Sequence, residues 1–423
     1  MHIVYVTNGL PHVGNNGVPM LGWSLTKYFL ERGHRVTVLG LCPEGDKFNS
    51  EEYRNEIERL GADVEVIVYA YFGDRLNYWG RVKNFLYFGN PSRYYPSLVI
   101  KNDVERVIYS LAPDAIVAVH TEALATLMSV EGIPCLGLMG DPSHLPAWFR
   151  LVNDFKSKNL SKALLRVVSY VKALPVLLSL DFKMLAHCNR RGAIAAHYSE
   201  WFRSKGLDDC EYFRIPIVDE LGENWRIQRE RAHDSAKFKI VLLGALHVTA
   251  TMSGLKLFAH EIYPELCRSI GENNFEVHII GSGSWPNEIR DITRNANVFK
   301  RGYVENLKRE MLSSDLFLVP TPISLGIRVR VLTAFSYGQC IVAHRANTYG
   351  IPELSHNNNS LLGDSGAQLA SLIIDAYKAP LLRKKLEDGA RRTYEDFFSP
   401  SIAAARILNV VEEMVNDSPG KRL

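Results

Sequence analysis

The sequence predicts an α/β protein built as two successive doubly wound halves. Three observations carry that expectation. Apolar runs of strand length, such as "HIVYVT" at the start and "FKIVLLGAL" from Phe238, alternate with longer helix-like stretches. Those runs are apolar throughout rather than alternating, as expected of parallel strands covered by helices on both faces. The rhythm breaks between Glu220 and Lys237, a charged stretch without apolar periodicity, and restarts at Phe238. A chain of 423 residues is also too long for one core. The expected division is a Rossmann-like domain over 1–220, a linker over 221–237, a second Rossmann-like domain over 238–395, and a helix over 396–423 that returns to the first domain.

The elements follow in order. "HIVYVTNGLPHVGNNGVPMLGWSLTKYFLERGHRVTVLG" reads as strand, glycine-bearing loop, helix and second strand, a βαβ opening. Further strand units are "ADVEVIVYA", "DAIVAVHT", "IPCLGLMGD" and "CEYFRIPIVDE". The second half runs through "FKIVLLGAL", the helix "GLKLFAHEIYPELCRSI", "FEVHIIGSGS", "NVFKRGYV", the helix "NLKREMLSSD" and the strand "LFLVPT". Ligands of such sheets sit at the carboxyl ends of the strands, so two facing domains would place a site in the cleft between them.

Composition narrows the function. Hydrophobic residues make up 47% and charged residues 22%, with a net charge of +3. That balance gives no general nucleic-acid signal. The six cysteines form no C-x-x-C and no zinc spacing with histidine, and three lie in or beside strand-like runs, as reduced buried thiols of the cytosol would. A strand from the first residues leaves no room for a secretory leader. The most apolar stretch, Ala163 to Leu180, contains Arg166, Lys172 and Pro175, which argues against a membrane span. No D-x-D ends an apolar strand, so no metal site is expected.

Several residues stand out as chemistry. Arg328 and Arg330 open "GIRVRVLTAFSYGQCIVAH", at a helix start where each like charge costs about 0.3–1 kcal/mol unless an anion offsets it. On one helix the two would diverge; in an extended lead-in they would share a face, and Arg330 and Thr333 would be helical neighbours. Gly14 and Gly17 sit in a loop between the first strand and helix, which suits either an anion cradle or a turn needing positive φ. His120 and Asp141 end strands, where they either face a ligand or cap the segments that follow. Gly281, Ser282 and Gly283 follow "EVHII" and could offer backbone donors to a diphosphate, or form a tight turn. Arg75 to Lys101 interleaves basic and aromatic residues without an acid, and Lys162, Arg166, Ser169 and Lys172 form a basic-polar stripe. Its helix carries Leu164, Leu165, Val167, Val168, Val171 and Leu174 opposite, a face expected to pack on a core or to dock on anionic membrane.

These residues resemble a GT-B-fold glycosyltransferase, most closely glycosyltransferase family 4. The resemblance spans nearly the whole chain and is strongest from Phe238 to Asp364. It rests on "ERGHRVTVL", "IPIVDE", "GALHVTATMSGLKLFAHEIYPEL", "VHIIGSGS", "RGYVENL" and "GIRVRVLTAFSYGQCIVAHRANTYGIPEL". It implies a nucleotide-sugar donor, UDP- or GDP-linked, on the second domain and a glycan or lipid-linked acceptor on the first, with no permanent cofactor. Arg328 and Arg330 match the basic positions at the pyrophosphate. Gly281 to Gly283, Tyr303 and Val304 match loops around pyrophosphate and base, and Gly244 and Gly326 belong to the same donor site. Gly14 and Gly17 match the loop under the phosphates, and His120 the histidine near the donor sugar. Retention of configuration is implied, with the leaving phosphate taking the acceptor proton and no metal. The expected setting is cytoplasmic, with peripheral contact at the inner membrane face.

The chain departs from the family pattern at three places. Thr333 stands where a glutamate usually holds the ribose, Leu325 replaces the first acid of E-x7-E, and His247 stands in for an Arg/Lys pair. A degenerate GT-B protein that binds a glycan or partner without turnover is therefore the rival reading. A nicotinamide oxidoreductase is disfavoured, because the glycine fingerprint and the acid after the second strand are missing.

Overall fold

In the computed structural model the described residues are 1–12, 17–45, 51–70, 94–156, 160–232, 236–246, 248–283, 285 and 287–417. They form two compact units: Met1–Pro216 with Ala403–Leu423, and Ile217–Ile402.

Unit 1 is a seven-stranded sheet. Its strands are β1 (His2–Asn8), β2 (Arg35–Pro43), β3 (Asp63–Tyr69), β4 (Ala115–Val119), β5 (Cys135–Met139), β6 (Arg190–Ala193) and β7 (Glu211–Tyr212). Their order is β3-β2-β1-β4-β5-β6-β7, and every pair is parallel. Ile3 to Val6 and Ala115 to Val119 are wholly buried, which is why these strands are continuously apolar. Helix Gly17–Glu31 buries Leu21, Leu25, Tyr28 and Phe29, one helical stripe. Within it, a Cβ on Gly22 would lie 2.8 Å from Pro11 and from the Tyr5 ring, so only glycine lets this helix approach β1. Residues from Ala403 onward bring Ala404, Ile407 and Val411 into the unit 1 core. Ion pairs Arg406–Glu211 at 2.8 Å and Arg190–Asp417 at 2.9 Å hold the same helix, Pro400–Asp417, to β7 and β6.

Unit 2 is a six-stranded parallel sheet of β8 (Phe238–Leu243), β9 (Phe275–Ile280), β10 (Val298–Gly302), β11 (Leu316–Val319), β12 (Ile341–His344) and β13 (Leu361–Gly363). The order is β10-β9-β8-β11-β12-β13. Ile240, Leu242, Val277, Ile279, Leu318 and Phe258 lie in its main core.

Three expectations need correction. The stretch 221–237, read as a linker, contains helix Trp225–Ala232 packed on unit 2. Its contacts are made by long polar arms: buried Arg229 donates to Ser314 O at 2.8 Å and pairs with Glu387 at 3.1 Å. Trp225 lies over Gly338, where a Cβ would be 2.4 Å from the ring. Such packing leaves no apolar period to read. Second, Val168 and Val171 on helix Leu160–His187 are exposed, not core-packed. Third, of the aromatic-basic stretch only Tyr94, Tyr95 and residues 96–101 lie among the described residues, and Tyr95 is an interior residue, 1% exposed. Among the described residues no helix is long and apolar enough to cross a membrane.

Candidate functional site

The sheet order of unit 2 fixes where a ligand can sit. The chain leaves β8, builds β9 and β10 on one side, then returns to β11 on the other. The carboxyl ends of β8 and β11 therefore border the point where the winding reverses, the usual crevice for a ligand in an open α/β sheet. Leu243, Gly244, Thr251, Thr321 and Arg330 line a small crevice there.

Arg330 defines its chemistry. The helix after β11 begins at Val329, with Arg328 as its N-cap in a non-helical conformation (φ −92°, ψ 84°). The first arginine is thus in the lead-in and the second in the first turn. The Arg330 guanidinium donates to Leu243 O at 2.7 Å, Thr251 Oγ1 at 3.2 Å and Thr321 Oγ1 at 2.6 Å. All three acceptors are neutral, and Nε is buried without a partner among the described residues. Burial, and then repulsion from Arg328, pushes its pKa down to about 9. A half-buried cation held by neutral acceptors is costly unless something of opposite sign arrives. The positive helix terminus adds to that cost. Arg328 donates to Ile323 O at 3.0 Å and to Leu325 O.

Two glycines make room for this cation. Gly244 has φ +152°, and a Cβ there would lie 2.3 Å from an Arg330 nitrogen and 2.6 Å from Thr251 Oγ1. A Cβ on Gly281 would lie 2.1 Å from Gly244 O. The backbone ends of β8 and β9 thus come together beside Arg330. Ser282 and Gly283 are exposed in the following loop. Tyr303, after β10, is 76% exposed, with Val304 half-buried beside it. Gly326 (φ +69°) precedes the arginines, and Thr333 is 6% exposed, three residues beyond Arg330 in the helix. Gly14 and His247 lie outside the described residues. Thr251 and Thr321 were not singled out from sequence; nothing in their local pattern marks a hydroxyl that will meet an arginine.

Unit 1 reverses its winding between β1 and β4. Gly17 opens the helix after β1, and His120 follows β4 directly. His120 occupies the N-cap position of helix Thr121–Thr126 but makes no side-chain capping bond. Its backbone (φ 73°, ψ 161°) is in a region nearly reserved for glycine, a strain of about 1–3 kcal/mol. Burial pushes the imidazole pKa down to about 4, so the ring is neutral at pH 7. Its Nε2 is buried without a partner among the described residues. The ring lies against Gly140, where a Cβ would be 2.1 Å from Cε1. Asp141, half-buried, is the next residue, so the structure brings His120 and Asp141 to adjoining loops. Among the described residues no three His, Cys, Asp or Glu side chains group as metal ligands would.

Known proteins share the sequence pattern of one segment and the fold of the whole chain. Residues 237–379 match the family model of glycosyl transferases group 1. This segment, about a third of the chain, is similar to that family. The chain is also similar in fold to a glycosyltransferase from Rickettsia africae (TM-score 0.66, 12% identity, 99% of each chain). It is similar to Anabaena Alr3699/HepE in complex with UDP-glucose (0.65, 14%, 98% of this chain and 100% of that one). Sucrose-phosphate synthase from Thermosynechococcus elongatus gives 0.65 at 11% identity, over 99% and 100%. No curated protein matches the chain in sequence. The two doubly wound units are the GT-B fold, and the matched segment 237–379 contains the Arg330 crevice.

Proposed function

We propose that the protein moves a sugar from a UDP- or GDP-sugar to a hydroxyl of a polysaccharide, glycolipid or protein glycan, with anomeric retention and without a bound metal. The observation that carries this reading is the half-buried Arg330, met among the described residues by neutral acceptors only, at the reversal point of unit 2. A diphosphate supplies the missing counter-charge. Arg328 and Arg330 would hold it, with backbone groups of Gly244 and Gly281 to Gly283 close by, and their hold strengthens as charge builds on the leaving group. The acceptor proton passes to that leaving phosphate. We assign neutral His120 to a hydroxyl of the donor sugar, through the Nε2 that has no partner among the described residues, and Asp141 to the acceptor hydroxyl. Tyr303 and Val304 would lie at the base and Thr333 at one ribose hydroxyl. The Anabaena protein, similar in fold, is described in complex with UDP-glucose, which favours uridine.

A thermal-shift series with UDP, GDP, UDP-glucose and GDP-mannose tests this directly. One base should stabilise the protein clearly, and turnover should survive exhaustive chelation. No shift with any nucleotide overturns the reading in favour of a degenerate scaffold, which neutral Thr333 keeps as the alternative.

The proposed setting is the cytoplasm, with unit 1 touching anionic membrane. Trp148, Val168 and Val171 are exposed on helices His144–Lys156 and Leu160–His187, and Trp148 rests 5.7 Å from the Tyr170 ring. Anionic liposomes should pellet the protein at low salt; failure to do so removes the membrane contact.

A further inference from the structure

Helix Leu160–His187 buries Ala173, Leu177, Met184 and Leu185, and the stripe continues to Cys188 beyond its end. Asp181 occupies the middle of that stripe and is 0% exposed. A carboxylate where the helical period calls for an aliphatic residue is costly unless its oxygens are met. They are met by two segments far apart in sequence. Oδ1 accepts from Tyr95 Oη at 2.8 Å and from Ser143 Oγ at 2.8 Å, and Oδ2 accepts from the Ser143 N–H at 2.7 Å. Two of the three bonds thus fix Ser143, which ends the short turn Gly140-Asp141-Pro142-Ser143 after β5.

We infer that Asp181 is a positioning residue: it fixes the turn that carries Asp141 and lays Gly140 against the His120 ring. The inference rests on the glycosyltransferase reading for its effect on turnover, but not for its effect on the turn. Gly140 contacts the imidazole so closely that a shift of the turn must move the ring or open a gap beneath it. Asp181 does not touch a reacting atom; it acts through Ser143.

Burial pushes the Asp181 carboxyl up to about 6, against the hydrogen bonds that lower it. Protonation puts an O–H where Ser143 donates, so the turn should loosen as pH falls through 6. Tyr95, pushed up by burial and then by Asp181, stays protonated throughout. Glu122 also acts on Tyr95 and is itself raised by burial, which makes it the competing titrant. His144, next to Ser143, is lowered by burial, and His120 titrates at about 4.

The experiment uses the full chain and two readouts. Hydrogen exchange of the segment 140–146, corrected for intrinsic rates, reports the turn without reference to activity. UDP-glucose turnover, as hydrolysis where acceptor is absent, reports the chemistry. Asp181→Asn should exchange this segment about tenfold faster and lower kcat about tenfold, with KM for UDP-glucose within about twofold, since a tenfold change corresponds to about 1.4 kcal/mol. Wild type and Glu122→Gln should both show an acid limb near pH 6 in exchange and in kcat; Asp181→Asn should show none. Wild-type exchange and an unchanged acid limb in Asp181→Asn overturn the inference. If the wild type turns over no sugar nucleotide, the proposed function falls and exchange alone decides the role of Asp181. If Asp181→Asn does not fold, Ser143→Ala and Tyr95→Phe each remove one partner. Both behaving as wild type in segment 140–146 also overturns it.

Discussion

Arg330 and Thr333 pose opposite problems on one helix. Arg330 is a cation that no acid among the described residues neutralises, so its cost in the free protein is the counterpart of its affinity for an anion. Arg330→Met keeps the stem and removes the charge. The unliganded variant should be as stable as wild type or more so, while losing UDP affinity by about 1.5–3 kcal/mol or more, the value of a charge-assisted contact. Chemical denaturation with and without UDP checks both halves. A less stable variant that still binds UDP normally contradicts the assignment. Thr333 has a short, neutral side chain at 6% exposure, where it can supply one ordinary hydrogen bond of about 0.5–1.5 kcal/mol. Thr333→Glu should tighten UDP binding and Thr333→Val should weaken it modestly. Calorimetry that finds neither change, on folded proteins, removes Thr333 from the ribose site.

At the scale of elements, one carboxylate ties side chains of three unit 2 strands together. Glu310, on helix Leu307–Leu312, bonds Lys239 of β8 at 3.0 Å, His278 of β9 at 3.0 Å and Arg301 of β10 at 2.7 Å. Burial alone would raise its pKa, but the bonds from Lys239, His278 and Arg301 bring it down to about 2. A carboxyl lowered in the fold contributes stability above its ordinary range near 4.5, and that contribution disappears as pH falls towards 2. Glu310→Gln should therefore flatten the loss of stability between pH 4.5 and 2. At neutral pH it should cost about 3–5 kcal/mol, because Lys239, only 7% exposed, loses its counter-charge and keeps only the neutral Ser313 hydroxyl. Urea titrations across that range measure both, and an unchanged acid limb would falsify the assignment. The helix of the Arg330 crevice shows the limit of local reading. A dipole argument from sequence marks Arg328 and Arg330 as needing an anion, yet only the structure starts the helix at Val329 and so separates their roles. Asp181 was legible in principle, as an acid at helical spacing among Ala173, Leu177, Met184 and Leu185, but its partners were not.

For the whole molecule, the last helix is part of the first unit. Ala404, Ile407 and Val411 are almost fully buried there, and Arg406 and Asp417 pair with Glu211 and Arg190. A chain ending at Ser399 should leave unit 1 partly unfolded and sensitive to limited proteolysis, while unit 2 keeps its resistance. Equal resistance in both units would contradict that dependence. The sequence by itself determined the fold class, because continuous apolar runs of strand length alternating with helical stripes leave few arrangements other than covered parallel sheets. It also determined that positive charge gathers ahead of the helix Val329–Ser336. Only the tertiary structure decided what surrounds that charge. Leu243 and Thr251, 87 and 79 residues from Arg330, meet it because the winding reverses between β8 and β11. It likewise decided that helix Trp225–Ala232 packs through arginines and a tryptophan. Asp181, too, finds Tyr95 and Ser143 only across 86 and 38 residues. Periodicity reports which face of an element is buried; it carries no record of the residue that will come to meet it from another part of the chain.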